Sequence, residues 1–504
     1  MKNTKITSVN TANMRRRREL KDRLANLTIG LGGVGVIGAI TLIFFYLVFE
    51  VWPLFSGVEL DKKAPVMTQA AALYLDADEY NESGIRILAD GQVQILDVKT
   101  GRIESTSALP LPSGVHITSV QRGPILSSLV GIGLSNGQLL VAKPNYDVSY
   151  GANNQRIINS SLAYPYGEEP LTVDRSGGAL HAFYLRGSDD DLRVLAYVEG
   201  KVQRIHFSSA NESSSALSLS FGDNGGSDED AGFSEVERDE LPYRASAAQH
   251  IIIGQDGNWA YVFHDGNRVS VFNVRNEPIY TQEVVLTGPT AEVTAVTALQ
   301  GNVSLIVGDS QGEVAQWFMV RDSSTGVDQF QLKKIRSISV GNAAITALTP
   351  EARRKGVVIG DANGQVSYYY TTSDRLIMQT SAGDSPIRSL AMSARSLGLL
   401  IQSDSAYSFW SMEIEHPDIS MESTWKSVWY ESYEEPTYTW QSSSGTTDFE
   451  SKLSLMPLTF GTIKAAFYAM LLGAPLAIFG AMYSAVFMSP ALRRKVKPTI
   501  ELME

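Results

Sequence analysis

Two long stretches of the chain contain no charged residue, and they lie near its two ends. The first runs from Leu24 to Phe49 and the second from Ala465 to Leu492. A helix rises about 1.5 Å per residue, so each stretch is long enough to cross a hydrocarbon layer about 30 Å thick. The pattern predicts two transmembrane helices, over residues 27–49 and 461–488.

The first stretch also contains a Gly-x-Gly-x-x-Gly pattern twice, which raises the alternative of a dinucleotide-binding loop. The two copies use Gly30, Gly32, Gly33, Gly35 and Gly38. Such a loop needs a preceding strand and a following helix with a polar face, and the sequence predicts neither. A signal peptide is the other alternative, but its apolar core is shorter and lacks the aromatic rim of Tyr46, Phe49 and Trp52 seen here. We therefore expect the glycines to allow close contact between membrane helices.

Basic residues flank each apolar stretch on the side that faces the nearer end of the chain. They include Arg15, Arg16, Arg17, Arg18, Arg493, Arg494, Lys495 and Lys497. Because Lys and Arg beside a span stay in the cytoplasm, both ends of the chain, residues 1–26 and 489–504, are expected there. The residues between the spans then lie across the membrane. In the inner (plasma) membrane of a bacterium, this makes a multi-pass protein with a large periplasmic domain.

Between the spans, a unit of short apolar strands and a glycine turn recurs. Three clear copies begin ITSV, VTAV and ITAL, and the turn glycine follows 20, 19 and 19 residues later. With weaker copies, the seven turn positions are Gly91, Gly137, Gly200, Gly266, Gly312, Gly364 and Ser405. Asn-Gly and Asp-Gly between alternating strands are strong hairpin signals. The spacing predicts a seven-bladed propeller over residues 57–420, with six or eight blades left open.

The expected fold class is therefore mixed, with α-helical transmembrane segments that flank an all-β, WD40-like propeller. Residues 208–242 are rich in serine, glycine and acidic residues, which predicts a disordered insertion in one blade. A docking loop for calcium or a basic partner is the alternative there. Residues 421–460 are an aromatic linker in which Trp425, Trp429 and Tyr433 follow a helical spacing. They predict a helix at the lipid interface, or else outer strands of the last blade plus a linker.

The composition narrows the chemistry. The chain contains no cysteine, which excludes disulfides, thiolate metal sites and cysteine nucleophiles. Its net charge is −12 although both ends are basic, and an acidic body argues against a nucleic-acid partner. The six histidines are scattered along the chain: His116, His181, His206, His250, His264 and His416. Their spacing does not suit a metal site, and no cofactor is expected.

Two aspartates, Asp309 and Asp361, repeat at matching places in successive copies of the unit. Paired carboxylates can perform acid–base chemistry, but equivalent positions in neighbouring blades lie a whole blade apart, so a role in turns is expected. The sequence also contains no nucleophile elbow and no phosphate-binding lysine loop. The chain is thus not expected to be an enzyme, and the exported body is interpreted as a binding or scaffolding surface.

The second apolar stretch carries small residues at every fourth position. They are Gly473, Ala477, Ala481 and Ala485. A face of this kind lets helices approach closely in lipid. Pro475 lies in the same stretch and leaves a carbonyl group that neighbouring helices must satisfy. This helix is therefore expected to pack in a bundle.

The residues from Pro457 to Glu504 resemble the start of the membrane core of the permease subunit of phosphate ABC importers (Pst-type). The matching positions are Gly461, Thr462, Pro475, Leu476, Ala477, Pro498 and Glu501, with the basic turn Arg493 to Lys497. The segment from Trp429 to Leu458 is similar to enlarged permeases of this family that carry a periplasmic insert. The resemblance implies a transport subunit that forms part of the phosphate pathway. The implied partners are a second permease subunit, a cytoplasmic ATPase dimer that hydrolyses ATP, a periplasmic phosphate-binding protein and membrane lipid.

The family's cytoplasmic coupling loop and its remaining core helices do not follow in this chain, so the resemblance implies a protein truncated at its C-terminus. Two other functions remain open. One is a membrane-tethered propeller that acts as a scaffold or sensor of the cell envelope. The other is a propeller enzyme such as a quinone-dependent dehydrogenase, which the missing catalytic motifs disfavour.

Overall fold

The computed structural model describes residues 9–55, 57–68, 70–151, 153–188, 190–209, 232–322, 329–446 and 448–503. The chain divides into two compact units, one that ends at Gly57 and one that begins at Val58. The first unit is one long helix, α1 (Val9–Val51), followed by a 3-10 turn (Trp52–Phe55). Its apolar part, Gly30–Leu54, has a mean hydropathy of 2.3 and an exposed surface. The helix is long and apolar enough to cross a membrane.

The second unit contains seven antiparallel sheets, which are the blades of a propeller. The strands of a blade are called A to D from the central channel to the rim, and the A strands of neighbouring blades contact each other. Blade 1 consists of β3 (Ala72–Ala77), β4 (Ser83–Leu88), β5 (Gln92–Asp97) and β6 (Ile103–Ala108). Blade 2 consists of β7 (Ile117–Arg122), β8 (Val130–Leu134), β9 (Gln138–Tyr150) and β10 (Arg156–Ala163), with β11 (Leu171–Thr172) beside β9. Blade 3 consists of β12 (Phe183–Gly187), β13 (Asp191–Val198), β14 (Lys201–Ser209) and β15 (Phe233–Glu240).

The remaining blades follow the same plan. Blade 4 consists of β16 (His250–Ile253), β17 (Trp259–His264), β18 (Arg268–Asn273) and β19 (Ile279–Val285). Blade 5 consists of β20 (Val293–Ala298), β21 (Ser304–Asp309), β22 (Glu313–Asp322) and β23 (Gln329–Ser339). Blade 6 consists of β24 (Ile345–Pro350), β25 (Gly356–Asp361), β26 (Gln365–Tyr370) and β27 (Arg375–Ser381). Blade 7 takes β28 (Ile387–Met392), β29 (Gly398–Ser403) and β30 (Ala406–Glu413) from the end of the propeller, and β1 (Glu59–Lys62) and β2 (Val66–Met67) from its beginning.

The ring is closed by strands from opposite ends of the propeller sequence. β1 is the outer strand of blade 7 and runs antiparallel to β30, with Glu59 opposite Glu413 and Lys62 opposite Trp410. Closure of this kind leaves no free edge between the last blade and the first. The count of seven blades is thereby confirmed.

The predicted turn positions all lie between strands B and C of their blades. The six turn glycines have φ angles between 74° and 86°, a region that residues with a Cβ rarely adopt. In blade 7, Ser405 lies in the corresponding turn. The recurring glycine is therefore a backbone requirement of the tight B–C hairpin.

The hydrophobic core lies between neighbouring blades. Strands β4, β8, β21, β25 and β29, all of them B strands, are buried at every position, whereas the D strand β6 is exposed throughout. A strand covered on both faces favours a continuous apolar run, as in residues 305–308 of β21, because neither face meets water.

Part of the predicted acidic insertion belongs to the strands of blade 3. Residues 233–240 form β15, the outer strand of blade 3, so residues 208–242 do not form one insertion. Residues 210–231, which hold the rest of the predicted insertion, lie outside the described residues.

The second apolar helix, α3 (Met456–Met482), continues through Pro475 and is followed by a π-helical turn, Tyr483–Phe487. The stretch Met456–Phe487 has a mean hydropathy of 1.8 and is also long and apolar enough to cross a membrane. Arg493, from the next helix, donates hydrogen bonds to the carbonyl oxygens of Ser484 (2.9 Å) and Ala485. It thereby satisfies carbonyl groups that the widened turn leaves free.

Candidate functional site

Residues 414–455, called the strap, connect the last propeller strand to α3, and they lie across blades 5 and 6. Ser373 Oγ donates to the carbonyl oxygen of Pro417 (2.6 Å), and Ser420 Oγ donates to that of Ser373 (2.8 Å). Arg336 donates to the carbonyl oxygen of Trp429 at 3.0 Å. Most of the strap's partners are in A–B and C–D turns. The side of the propeller formed by these turns is called the strap face, and the opposite side, with the B–C turns, the far face.

The strap contains one helical turn, α2 (Met421–Trp425). Its N-cap is a capping box, in which Ser420 Oγ accepts from the amide of Ser423 (3.0 Å) and Ser423 Oγ accepts from that of Ser420 (2.9 Å). At Lys426 the backbone is already extended. The helix predicted from the spacing of Trp425, Trp429 and Tyr433 is therefore wrong beyond the first of these residues.

A buried ion pair holds the middle of the strap on the propeller. Lys355, in the A–B turn of blade 6, places Nζ 2.6 Å from Glu431 Oε2, and their side chains are only 1% and 8% exposed. Lys355 also donates to the carbonyl oxygen of Gln300 (2.7 Å), and Ser304 Oγ donates to Glu431 Oε1 (2.6 Å). Removing one partner of such a pair leaves a buried charge uncompensated, which costs about 3–5 kcal/mol.

A second buried carboxyl group, that of Glu450, lies next to this pair. It accepts hydrogen bonds from Thr372 Oγ1 (2.5 Å) and from the amide of Glu431 (2.8 Å). Burial and the nearby Glu431 carboxylate raise the pKa of Glu450 above its ordinary value. The strap thus contributes two buried acids, Glu431 and Glu450, whose partners on the propeller are Lys355 and Thr372.

Part of the exposed surface of the strap is apolar and aromatic. Met421 is 65% exposed, Trp425 43%, Tyr438 51% and Trp440 42%. Other aromatic residues of the strap turn inward: Tyr430 is fully buried, and the Trp429 ring packs edge-on against Phe318 of blade 5, with 6.3 Å between ring centroids. Trp425 is exposed whereas Trp429 and Tyr433 are half-buried, so the three aromatic residues with helical spacing do not form one exposed face.

Both ends of the second unit leave the propeller on the strap face. β1 begins with Glu59, which pairs with the last residue of β30, Glu413. α3 begins after Leu455, whose amide donates to the carbonyl oxygen of Thr424 in the strap (2.8 Å). The chain therefore enters and leaves the propeller on the strap face.

Of the residues predicted for helix packing, Gly473, Pro475, Ala477 and Ala481 lie on α3, and Ala485 lies in the π-helical turn that follows it. A Cβ placed on Gly461 or Gly473 meets no atom within 4 Å apart from the backbone of that helix. Thr462 Oγ1 donates to the carbonyl oxygen of Leu458 (2.8 Å), and Pro475, Leu476, Ala477, Ala481 and Ala485 are exposed. Packing of this face against another helix stays a prediction.

The predicted topology-setting residues lie on two helices. Arg493, Arg494 and Lys495 are exposed on α4 (Pro490–Met503). The side chains of Arg15, Arg16, Arg17, Arg18, Lys497, Pro498 and Glu501 lie outside the described part of the structure.

The repeated aspartates have the turn role that was expected. Asp309 Oδ1 accepts from the amides of Gln311 and Glu313, both at 2.9 Å. Asp361 Oδ1 does the same in blade 6, for Asn363 (2.9 Å) and Gln365 (2.8 Å). Within the described ranges, no group of three or more His, Asp or Glu side chains is arranged to hold a metal ion.

A polar cleft of about 530 Å³ opens between the rims of blades 3 and 4. Its lining consists of Arg193, Arg204, His206, Glu237, Asp239, Arg275, Asn276, Glu277 and Pro278. Within it, Arg204 pairs with Asp239, and His206 pairs with the adjacent Asp191, which Arg193 also approaches at 3.4 Å. Because these charges already neutralise one another, the cleft has no excess charge that would select an ion of one sign.

Comparison with known proteins found no matching family model and no matching curated protein. Solved structures similar to the chain include the following two. One is the β-propeller domain of Cps50 (Swd1) from Myceliophteria thermophila, with a TM-score of 0.44 and 10% identity over 70% of this chain and 99% of that one. The other is Raptor from Chaetomium thermophilum, with a TM-score of 0.46 and 12% identity over 71% of this chain and 29% of that one.

These findings overturn the resemblance to a phosphate ABC importer permease. No permease family model matches the chain, and the described residues between the two apolar helices form a β-propeller. The inferences drawn from the resemblance are therefore wrong as well: the phosphate pathway, the second permease subunit, the ATPase dimer and the phosphate-binding protein. What the structure supports is a seven-bladed β-propeller, with one apolar helix before it and one after it in the sequence.

Proposed function

We propose that this chain is a membrane-tethered interaction module, a scaffold or sensor, in which α1 and α3 cross a membrane and the propeller binds partners. The observation that carries the proposal is that both ends of the propeller unit, at Glu59 and Met456, leave from the strap face. A propeller whose two connections to the spans leave from the same face can lie on a bilayer without the chain passing around its rim.

The exposure of α3 supports a membrane environment. Large apolar side chains such as Phe460, Leu472 and Leu476 are each more than two-thirds exposed, and a soluble protein rarely leaves an apolar surface of this size open to water. In lipid the same surface is favourable, and the helix satisfies its own backbone hydrogen bonds.

The charges next to the spans support one orientation. Basic residues precede the apolar part of α1 and follow that of α3, so both ends of the chain are placed in the cytoplasm. The propeller then lies on the other side, which is the periplasm if the membrane is the inner membrane of a bacterium. With the strap face toward the bilayer, the far face and the rim are the surfaces open to a partner.

The test is cysteine accessibility, which the cysteine-free chain allows without other changes. Asn363→Cys places a thiol on the far face, and Asn13→Cys places one before the first span. We expect a membrane-impermeant maleimide to label Asn363→Cys from the outside of intact cells and Asn13→Cys only after the cells are opened. The protein should also stay with the membranes in alkaline carbonate.

Binding is tested by placing a photo-crosslinking amino acid at Asn363 in the membrane-bound protein. A discrete crosslinked product from this far-face position is expected. The proposal fails if both cysteines react from the same side, or if carbonate releases the chain from the membrane.

A further inference from the structure

We propose that the outward surface of the strap, formed by Met421, Trp425, Tyr438 and Trp440, lies in the headgroup region of the bilayer. The strap would then be the part of the propeller unit that contacts the membrane surface. This inference rests on the proposed function, since it requires that α3 cross the membrane. It goes further because it assigns a lipid-binding surface to a segment outside both apolar helices.

Backbone hydrogen bonds place the exposed aromatics beside the start of α3. The amide of Leu455, one residue before the helix, donates to the carbonyl oxygen of Thr424 (2.8 Å), which precedes Trp425. The amide of Ser454 donates to the carbonyl oxygen of Thr439 (3.1 Å), which precedes Trp440. The strap's short hairpin, β31 (Trp440–Gln441) with β32 (Lys452–Leu453), also pairs Trp440 with Leu453. These hydrogen bonds therefore place the backbone next to Trp425 and Trp440 beside the two residues that precede α3.

The chemistry of this surface fits the lipid interface. Tryptophan and tyrosine combine a large apolar ring with one polar group, and they are enriched where hydrocarbon meets headgroups. The first residues of α3 continue the same surface, because Met456 is 39% and Leu458 45% exposed. The contact is thus continuous with the span proposed for α3, and lipid is the occupant that this continuity selects.

The charges on the strap indicate which lipid contact is expected. Its exposed residues include the acids Glu422, Glu434 and Glu435 and the base Lys426, which pairs with Glu422. An excess of acids gives no attraction to anionic lipid. The aromatic side chains must therefore supply the attraction, so the contact should form on zwitterionic bilayers and should change little with salt.

The rigidity of the strap makes it suitable for this role. The inward side is held by the buried Lys355–Glu431 pair and by Glu450, so the outward rings are presented on a fixed base. A segment ordered before it meets lipid loses little conformational entropy when it binds.

The experiment uses single-cysteine variants of the full chain in phosphatidylcholine nanodiscs, each labelled with an environment-sensitive nitrobenzoxadiazole dye. Trp440→Cys reports on the strap, Leu476→Cys on the middle of α3, and Asn363→Cys on the far face. Lipids that carry a quencher at the headgroup or deep in the acyl chain measure the depth of each dye. We expect headgroup quenchers to lower the Trp440→Cys signal about twofold or more, as for a dye at the interface.

The other positions separate the possible outcomes. Leu476→Cys should respond to the deep quencher, and Asn363→Cys to neither. If the Leu476 dye is quenched and the strap dye is not, the inference is overturned while the proposed function stands. If the Leu476 dye is not quenched either, the proposed function fails. Tyr438→Cys serves as a second strap reporter, so that the result does not depend on the loss of Trp440.

Discussion

The buried acids beneath the strap show how single residues decide where a segment lies. Glu431 and Glu450 belong to a stretch whose sequence suggests a solvated, acidic and aromatic linker. The propeller supplies partners that turn these carboxyl groups inward: the Lys355 ammonium at 2.6 Å from Glu431 and the Thr372 hydroxyl at 2.5 Å from Glu450. Buried charges are tolerated only with such partners. No local sequence pattern predicts these contacts, because the partners lie 76 and 78 residues away along the chain.

We predict that Glu450 makes the protein less stable as the pH rises. Its pKa in the folded chain is raised above the 4.5 of a free glutamate side chain, so the folded state keeps a proton that the unfolded state has lost. The free energy of unfolding therefore falls as the pH rises from 4.5 through the raised pKa. Glu450→Gln, which can still accept the amide hydrogen of Glu431, should flatten this slope by up to about 1.4 kcal/mol per pH unit.

Urea unfolding at several pH values measures the slope for Glu450→Gln. The matched control is Glu415→Gln, which changes an exposed acid on the same strap and should leave the slope as in the parent protein. Equal slopes for Glu450→Gln and the parent would contradict the prediction.

At the scale of elements, glycines in the B strands show how one blade fits against the next. A Cβ on Gly308 would lie 2.6 Å from Ile345 Cγ2, and one on Gly360 would lie 2.7 Å from Ile387 Cγ2. Ile345 and Ile387 begin the A strands of the following blades and are fully buried. The repeated "GD" of the sequence thus combines two requirements: a glycine for close packing between blades, and an aspartate that caps the B–C turn.

We predict that Gly308→Ala destabilises the propeller by about 1–3 kcal/mol, because the added methyl group overpacks a closely packed core. Gly288→Ala is the matched control, since its Cβ would meet no atom within 4 Å. That change should shift the stability by no more than about 0.5 kcal/mol. Denaturant midpoints of the two variants provide the measurement, and equal midpoints would disprove the packing argument.

Elements also explain why the permease resemblance failed. It depended on glycines, prolines and alanines within Pro457–Glu504, and small residues of this kind are common in membrane helices of many families. The seven-fold repeat, by contrast, combines strand periodicity, turn chemistry and spacing over several hundred residues. Agreement at several levels made the fold prediction reliable where the short motif was not.

For the whole molecule, the closure of the ring depends on four residues at the beginning of the propeller, Glu59–Lys62. Along β1, Leu60 packs against the core between blades 6 and 7, while Asp61 is exposed and pairs with Lys63. A charge at Leu60 would have to be buried or would detach the strand.

We predict that Leu60→Asp opens blade 7 locally. Amide hydrogen exchange in β30, the neighbour of β1, should become about tenfold faster or more, which corresponds to a loss of at least about 1.4 kcal/mol. Exchange in blades 3 and 4 should change much less. Asp61→Asn alters the exposed side of the same strand and should leave exchange in β30 unchanged; an equal effect of the two variants would argue against closure by Leu60.

The sequence by itself determined the features whose causes are local. Apolar runs defined two helices long enough to span a membrane. Turn glycines with positive φ marked six of the seven blades, and Ser405 occupies the matching turn of the seventh. The tertiary structure alone decided which strand closes the ring, that residues 233–240 form a strand of blade 3, and which strap aromatics are exposed. The physical reason is range: a hairpin or an apolar helix depends on neighbours within a few residues, whereas the ring closure joins Glu59 to Glu413 and the strap joins Glu431 to Lys355. Such contacts exist only in the folded propeller.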